Sequence, residues 1–483
     1  MPTVGECSST LSAVTRALCS ALAAALVLSV GDATGSTAST QQLTIPMDDG
    51  VSIAATLHLP DGAPPTAGWP ALVFLHGLAG SRESMNALAS AYGFVGKGYA
   101  VLSFDARGHG QSGGLVGIDG PREVADTRAV FQWLAGRPDV DGNNIGAWGI
   151  SYGGGAVLNS LVAGVPWGAV VTVQTWTNLF SALMPQGLVK SGLVAGLAGS
   201  IPETKRDPSL ATVQAAAFAG NSAVVRPWAA ERSSLSKLGA VTTPVFMAQG
   251  RRDFLFGIDQ AAQAFRRLKG PKALYVGLHG HAPSTFPAAD TGVLMARAGE
   301  WFDCWLKSPF CDAPPASVYV ASENFAGEVA RRGATPPPVR PSVVAFPGVS
   351  TFARRGKAVR SAPLRRAVEV YGSPTLKTSV AASGGWSRLV AVLTARTPQG
   401  REIVVSAGGV PTKRGVQKLT IKLASQATFI PRGSRLTLTL GSSSLAQSPS
   451  NLLYLDLPMP PAARVRIGNA VLTLPGLRTP VTR

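Results

Sequence analysis

The stretch Gly146-Ala147-Trp148-Gly149-Ile150-Ser151-Tyr152-Gly153-Gly154-Gly155 decides the fold. It contains Gly149-x-Ser151-x-Gly153, the pattern in which a strand turns sharply into a helix and leaves a serine at the apex. Such a turn brings neighbouring backbone too close for a Cβ, which is why glycine flanks the serine. With 54 glycines in the chain the pattern means little by itself, so its weight comes from what surrounds it. NIGAWGIS reads as a buried strand ending on Ser151. Before it, Pro121 to Leu134 reads as an amphipathic helix, with Pro121 in its first turn and Trp133 on its apolar face.

Further out, ALVFLHG and YAVLSFDARGHGQS are continuous apolar runs separated by the helical stretch SRESMNALASAYGFVGKG. After the elbow come three more such runs, GAVVTVQTW, TTPVFMAQG and ALYVGLHG, the last two separated by the helix DQAAQAFRRL. Strands of this kind, alternating with helices, predict a parallel α/β sheet covered on both faces. QQLTIPM and SIAATLHLP alternate apolar and polar residues around Asp48-Asp49-Gly50 and read as an antiparallel pair. Residues of about 177–238 have helical composition without a strand signal, which predicts a cap over the carboxyl ends of the strands. Within it, LVKSGLVAGLAGSI is apolar enough to line a pocket. These features define a catalytic domain over 40–312.

Residues 313–340, with Pro336 to Pro338, read as a linker or crossing. Thereafter AVEVYG, TLKTSVAA, SRLVAVLTAR, EIVVSAG, QKLTIKLAS, SRLTLTLGS and ARVRIGNAVLTL all alternate, with turn residues between them. That rhythm predicts a jelly-roll β-sandwich over 341–483. It contains no histidine, so its expected role is structural or substrate-shaping.

The bulk numbers fit such a plan. At 483 residues and 46% hydrophobic, the chain can fill two or three domains. Its net charge is +18 and its pI near 10.3. The lysines and arginines form no long run and no nucleic-acid motif is present, so no nucleic-acid partner is expected. Anionic cell-envelope polymers are the candidate partners for a basic surface. Residues 1–33 read as a signal peptide: Arg16, the apolar run Ala17 to Val30, then Gly31 and Ala33 at the cleavage region. The run is shorter than the roughly 20 residues of a membrane span, so the mature chain is expected to be exported, without a transmembrane segment, into the medium or the cell envelope. Cys7 and Cys19 would leave with the leader. Cys304 and Cys311 remain as a candidate disulfide, the alternative being two unpaired thiols. Their spacing is not a metal pattern, and no metal or cofactor is expected.

A serine hydroxyl needs a base within hydrogen-bond reach, itself oriented by a third group. In an elbow-type sheet those groups follow in the order serine, acid, histidine. Asp253, in Gly250-Arg251-Arg252-Asp253, comes 102 residues after Ser151, and His281 comes 28 residues after Asp253. Both fall at the carboxyl ends of predicted strands, on the edge that carries Ser151. His279 is the rival base; His281 is preferred because it lies further into the loop, after Gly280. The backbone N–H groups of Leu78 and Tyr152 are the expected oxyanion donors. His76 is read as a loop-orienting residue, Asp105 to Gly110 as a structural Asp/Arg turn, and His58 as a surface or packed residue.

EVADTRAVFQWLAGRPDVDGNNIGAWGISYGG resembles the core of the X-prolyl dipeptidyl-peptidase and cocaine-esterase group of α/β-hydrolases. FDARGHGQSGG, GRRD and GLHGH are similar to its other catalytic-domain motifs. EVYGSPTLKTSVAASGGWSRLVAVLTARTPQGREIVVSAGG and FIPRGSRLTLTLGSSS resemble its jelly-roll segments. The resemblance spans about Gln41 to the C-terminus and implies a catalytic domain, a helical cap and a jelly roll, with Ser151, Asp253 and His281 as nucleophile, acid and base. Two features depart from the group. The loop LHGLAGS lacks the tyrosine often used as an oxyanion donor, which favours backbone donors. SRLVAVLTARTPQG lacks an expected acidic residue. A dipeptidyl-peptidase must also bind a substrate ammonium, and Glu203 and Asp207 are the only acids between Asp141 and Glu231. The resulting expectation is an exported serine hydrolase acting on a small ester or peptide, first an esterase for hydrophobic acyl groups and second an X-prolyl peptidase. A non-catalytic envelope-binding protein on the same scaffold is the alternative of another class.

Overall fold

The computed structural model describes residues 39–281, 284–323, 331–353, 356–444 and 453–478. The expected leader, 1–33, with Cys7 and Cys19, lies outside them. The first unit is built on a ten-stranded sheet whose strands in chain order are β1 (Ser39–Pro46), β2 (Ser52–Leu59), β3 (Trp69–Leu75), β4 (Ala100–Phe104), β5 (Val140–Ile150), β6 (Ala169–Val173), β7 (Val245–Gly250), β8 (Lys272–Gly277), β9 (Ala316–Val320) and β10 (Arg331–Gly333). Their spatial order is β1-β2-β4-β3-β5-β6-β7-β8-β9-β10. The strands from β4 to β9 in that order pair in parallel, and β1, β2 and β10 join as antiparallel edges. Residues 313–340, expected as a crossing, instead supply β9 and β10 to this sheet.

Both faces of the sheet are covered, and side-chain alternation explains how. On β3, Ala71, Val73 and Leu75 join one apolar core, while Leu72 and Phe74 point into the other. Helices α1 (Arg82–Ala91), α2 (Pro121–Ala135), α3 (Tyr152–Val162), α8 (Ile258–Arg267) and α9 (Ala288–Phe302) close these two cores. Pro121 opens α2 at its first position, where a missing N–H costs nothing. Just after α9, Cys304 and Cys311 are joined by a disulfide, with Cα atoms 5.0 Å apart.

Between β6 and β7 the chain forms the cap: α4 (Leu179–Leu183), α5 (Ser191–Gly199), α6 (Pro208–Phe218) and α7 (Ser222–Glu231). The stretches expected as jelly roll form two antiparallel sheets around a separate core that includes Trp386, Leu393 and Leu438. The eight-stranded sheet contains β11 (Val339–Phe346), β12 (Val349–Phe352), β14 (Val368–Gly372), β15 (Thr375–Ser383), β18 (Gly415–Lys422), β19 (Gln426–Ile430), β21 (Arg464–Ile467) and β22 (Ala470–Leu477). The four-stranded sheet contains β13 (Lys357–Pro363), β16 (Arg388–Arg396), β17 (Glu402–Pro411) and β20 (Arg435–Gly441).

The β-domain presses directly on the first sheet. Arg251, at the end of β7, is 1% exposed and pairs with Glu369 of β14 at 2.6 Å. Its backbone carbonyl accepts from the Ala427 N–H at 2.7 Å, and its Nη1 donates to the Ala321 carbonyl at 2.6 Å. That contact sits two residues before Asp253.

Candidate active site

Ser151 stands where β5 becomes α3, with φ 53° and ψ −113°, a region a side chain rarely adopts. The strain is held by neighbours on both sides. The Ser151 N–H donates to the Val173 carbonyl at 2.8 Å, and its carbonyl accepts from Thr175 Oγ1 at 2.7 Å. A Cβ at Gly149 would run into the Gly153 carbonyl, and one at Gly153 into the Leu75 carbonyl. This is the steric reason for the two glycines of the elbow.

His281 Nε2 lies 2.8 Å from Ser151 Oγ, and His281 Nδ1 lies 2.7 Å from Asp253 Oδ2. Asp253 is fully buried. Its Oδ1 accepts from the N–H groups of Leu255 and Phe256, both at 2.9 Å, and its Oδ2 also accepts from the His281 N–H at 3.2 Å. Burial pushes this carboxyl up, but the His281 ring and the backbone donors outweigh it, so its pKa is lowered and it stays a carboxylate. An ionised acid can only accept. It therefore fixes the proton on Nδ1 and leaves Nε2 free to take the serine proton.

His279 is elsewhere. Its Nδ1 meets Asp290 Oδ2 at 2.8 Å, Asp290 Oδ1 accepts from Tyr275 Oη at 2.5 Å, and the ring is fully buried. This second His–Asp pair braces the base of the His281 loop. His76 Nδ1 contacts the Gly77 carbonyl at 2.7 Å and its Nε2 accepts from the Ala106 N–H at 3.0 Å. Burial lowers its pKa, so it ties two loops together as a neutral ring. That loop brings Gly77 to the serine, a Cβ built there lying 3.7 Å from Ser151 Cβ. The Tyr152 N–H opens α3 and, like the first donors of any helix, has no partner within it. Leu78 lines the same cavity as Ser151 and Tyr152. In the Asp105–Gly110 turn the two charged residues do not pair with each other: Asp105 pairs with Arg82, and Arg107 with Asp126 and Asp49. His58 lies at the sheet edge beside Thr40.

Three supports of the acid loop carry no local signal in the sequence. Lys190, from the cap, donates through Nζ to the carbonyls of Phe254 and Leu255 at 3.0 and 2.9 Å. Gln426, from β19, donates through Nε2 to the Asp253 carbonyl at 2.8 Å. Glu369 holds Arg251. Nothing in the spacing of these residues links them to Asp253, which lies 63 positions from Lys190, 116 from Glu369 and 173 from Gln426.

Behind the elbow, Asp119 is fully buried at φ 52°, and neither carboxyl oxygen has a hydrogen-bond partner among the described residues. Burial and the nearby Glu123 push its pKa well above the ordinary value, against the pull of Arg232. A carboxyl raised in this way contributes stability that is fully present below its unfolded pKa and is lost as the pH rises. Asp119→Asn keeps the shape and tolerates a positive φ. In thermal unfolding it is expected to exceed the parent at pH 7 by about 2 °C or more, and to show no advantage at pH 3.

Over Ser151 opens a cavity of about 990 Å³, counting the part open to solvent. Its walls are apolar: Trp176, Phe180, Met184, Leu197, Val213 and Phe256 are among them, and Arg206 is the single charged residue of the described lining. The stretch LVKSGLVAGLAGSI contributes five residues, Val189, Val194, Leu197, Ala198 and Ile201. Asp207 caps α6 through the Ser209 N–H, and Glu203 stands 3.9 Å from Arg206, so neither presents a carboxylate to the cavity. Among the described residues no His/Cys/Asp/Glu group is arranged to hold a metal ion.

Fold and site together define a serine hydrolase of the α/β-hydrolase class. Residues 49–283 match the X-Pro dipeptidyl-peptidase family (S15 family), and the chain resembles that family and its cocaine-esterase-like branch. Among curated relatives, the quorum-quenching protein AidA of Acinetobacter baumannii (strain MDR-ZJ06) is 34% identical over 131 residues, covering 27% of this chain and 43% of that protein. The chain thus spans less than half the length of the curated relatives it matches. A CocE/NonD family hydrolase from Staphylococcus aureus superposes with a TM-score of 0.70 at 15% identity, over 94% of this chain and all of that one. An alpha-amino acid ester hydrolase does so with a TM-score of 0.63 at 15% identity, over 93% of this chain and 99% of that one. At such identity the likeness is one of fold, and it covers both domains.

Proposed function

We propose that the chain is an esterase for substrates with an extended apolar acyl group, working through an acyl-enzyme. The observation that carries this reading is the cavity: its walls are apolar, it opens on Ser151, and its described lining holds no carboxylate. In the proposed cycle Ser151 Oγ attacks the ester carbonyl while His281 Nε2 takes its proton. The N–H groups of Leu78 and Tyr152 stabilise the oxyanion, and the alcohol leaves with the proton from His281. Water then repeats the sequence on the acyl-serine and releases the acid. Asp253 holds the imidazole and stabilises its cationic form.

An X-prolyl peptidase is the second reading, favoured by the family match over 49–283. It requires a site for a substrate ammonium, and an uncompensated cation in an apolar cavity is costly. p-Nitrophenyl esters of graded chain length, run beside Gly-Pro-p-nitroanilide, separate the two. The expected result is ester turnover only, with kcat/KM rising about fourfold per methylene until the cavity is full, from about 0.8 kcal/mol for each buried methylene. Clear anilide cleavage would move the protein to the peptidase side. Ala217, in the apolar cluster with Met184, Val189 and Val225, lines the same cavity. Ala217→Phe is expected to cut kcat/KM for the longest esters roughly tenfold or more while sparing acetate and butyrate.

The same reading puts the enzyme outside the cytoplasm, supported by the Cys304–Cys311 disulfide. N-terminal sequencing of protein recovered from the medium or envelope is expected to begin after Ala33.

A further inference from the structure

The positive charge of the chain is segregated. Of 44 lysines and arginines and 26 aspartates and glutamates, residues 341–483 hold 20 of the former and 3 of the latter, which leaves the rest of the chain nearly neutral. Those residues read one by one as scattered along the sequence. The fold gathers part of them on one surface.

Along the eight-stranded sheet, the side chains that alternate with the core face outward. On β15 these are Lys377, Ser379, Ala381 and Ser383. The register places Arg466 opposite Ala381 and Arg464 opposite Ser383 on β21, and Lys418 opposite Ser379 on β18. All four cations are exposed. The three carboxylates of the domain lie elsewhere: Glu369 is buried against Arg251, Glu402 heads a strand of the other sheet, and Asp456 reaches Ser442. Lys422, at the end of β18, faces Asp259 and belongs to the cap side. Strand spacing sets neighbouring cations on this face about 7–12 Å apart.

We propose that this face docks the protein on a polyanionic glycan. Charge complementarity requires an anionic partner, since four cations share a surface to which the domain contributes no acid. What lies between the cations selects the kind. The side chains beside them are hydroxyls and small groups, Ser379, Ser383 and Thr420, suited to sugar hydroxyls and close approach of a chain. This face has no aromatic side chain on β15, β18, β21 or β22, so it offers no platform for stacking bases. Its exposed apolar residues are valines, Val343 on β11, Val471 on β22 and Val416 on β18, without the bulky aromatic or leucine-rich edge that enters a bilayer. A shallow depression between Ser350, Ser379 and Arg466, rimmed by Val416, gives the polymer a seat.

The test uses the full chain and alginate fragments as the polyuronate probe. Lys377→Glu/Lys418→Glu/Arg466→Glu is compared with Lys237→Glu/Arg267→Glu/Lys269→Glu, which changes net charge equally on the catalytic domain; Lys237, Arg267 and Lys269 are also exposed. The wild type is expected to bind alginate with an affinity that drops about tenfold between roughly 0.05 and 0.2 M salt. The face variant is expected to lose about tenfold or more, and the control variant less than about twofold. Equal losses in both variants, tighter binding to phosphatidylglycerol vesicles or single-stranded DNA than to alginate, or no salt-sensitive binding would each overturn the proposal. An unchanged Tm shows that a variant is folded, independently of any esterase reading. Should the glutamate variant unfold, the glutamine triple at the same positions is measured in its place.

Discussion

Ser151→Ala is expected to reduce kcat for a p-nitrophenyl ester by about 10⁴-fold or more, with little change in Tm. In the proposed cycle the serine oxygen forms the acyl bond, and among the described residues Ser151 Oγ is the hydroxyl that His281 Nε2 meets, at 2.8 Å. Whatever rate is left is expected to come from the proposed oxyanion donors and from substrate binding. The companion variant Ser151→Gly separates chemistry from strain. It is equally inactive, yet it removes a side chain from φ 53°, where a non-glycine residue costs on the order of 1–3 kcal/mol. Even after the extra flexibility glycine gives the unfolded chain, it is expected to unfold at a higher denaturant midpoint, by about 1 kcal/mol. An inactive glycine variant that is also less stable would mean that the elbow is not strained as described. Fluorophosphonate labelling of the wild type, lost in both variants, reports a live nucleophile whatever ester is tried; no labelling would favour the non-catalytic alternative.

Glu369→Ala is expected to be the most damaging change outside the triad. It leaves Arg251 charged, 1% exposed and without its carboxylate partner, a loss of about 3–5 kcal/mol for a broken buried pair. The damage reaches catalysis because Arg251 and Asp253 share one turn, and Gln426 of the neighbouring strand β19 holds the Asp253 carbonyl. kcat is expected to fall about tenfold to a hundredfold through misplacement of Asp253, with a smaller change in KM. Replacing both partners, Arg251→Met with Glu369→Leu, removes the charges together and is expected to restore most of the stability. Urea unfolding of the wild type and the two variants checks the first claim, and steady-state kinetics of the folded fraction checks the second. If the alanine variant kept full kcat, the β-domain would have no part in setting the acid.

How much of this was legible beforehand depends on the range of the interaction. The alternation of apolar runs in β3 to β8 marks covered parallel strands, because each run reports the environment of its own few residues. β9 and β10 carry little local signal: ASVYV is short and follows Pro314 and Pro315, and the prolines at 336–338 read as a linker or crossing. Their strand character comes from pairing with β8 and with each other, which no local pattern records. The Asp105 turn shows the same limit. Its residues were recognised as structural, but their partners, Arg82 and Asp126, sit about 20 positions away on two helices.

Serine, acid and histidine were readable as a set because elbow sterics and chain order are properties of short segments placed at strand ends. The choice between two histidines two residues apart rested only on loop position. Packing separates them physically: His279 is enclosed with Asp290 and Tyr275, while His281 alone reaches Ser151. By itself, then, the chain's pattern of hydrophobic periods, glycines and strand-end residues determined a sheet with an elbow, a cap and a β-domain. Folding added the depth and lining of the cavity, the clamp of Lys190, Gln426 and Glu369 on the acid, and the gathering of Lys377, Lys418, Arg464 and Arg466 on one face. The reason is distance along the chain: turn sterics and periodicity are written within a few residues. Burial, ion pairing and a shared surface arise only when segments one or two hundred residues apart are brought into contact.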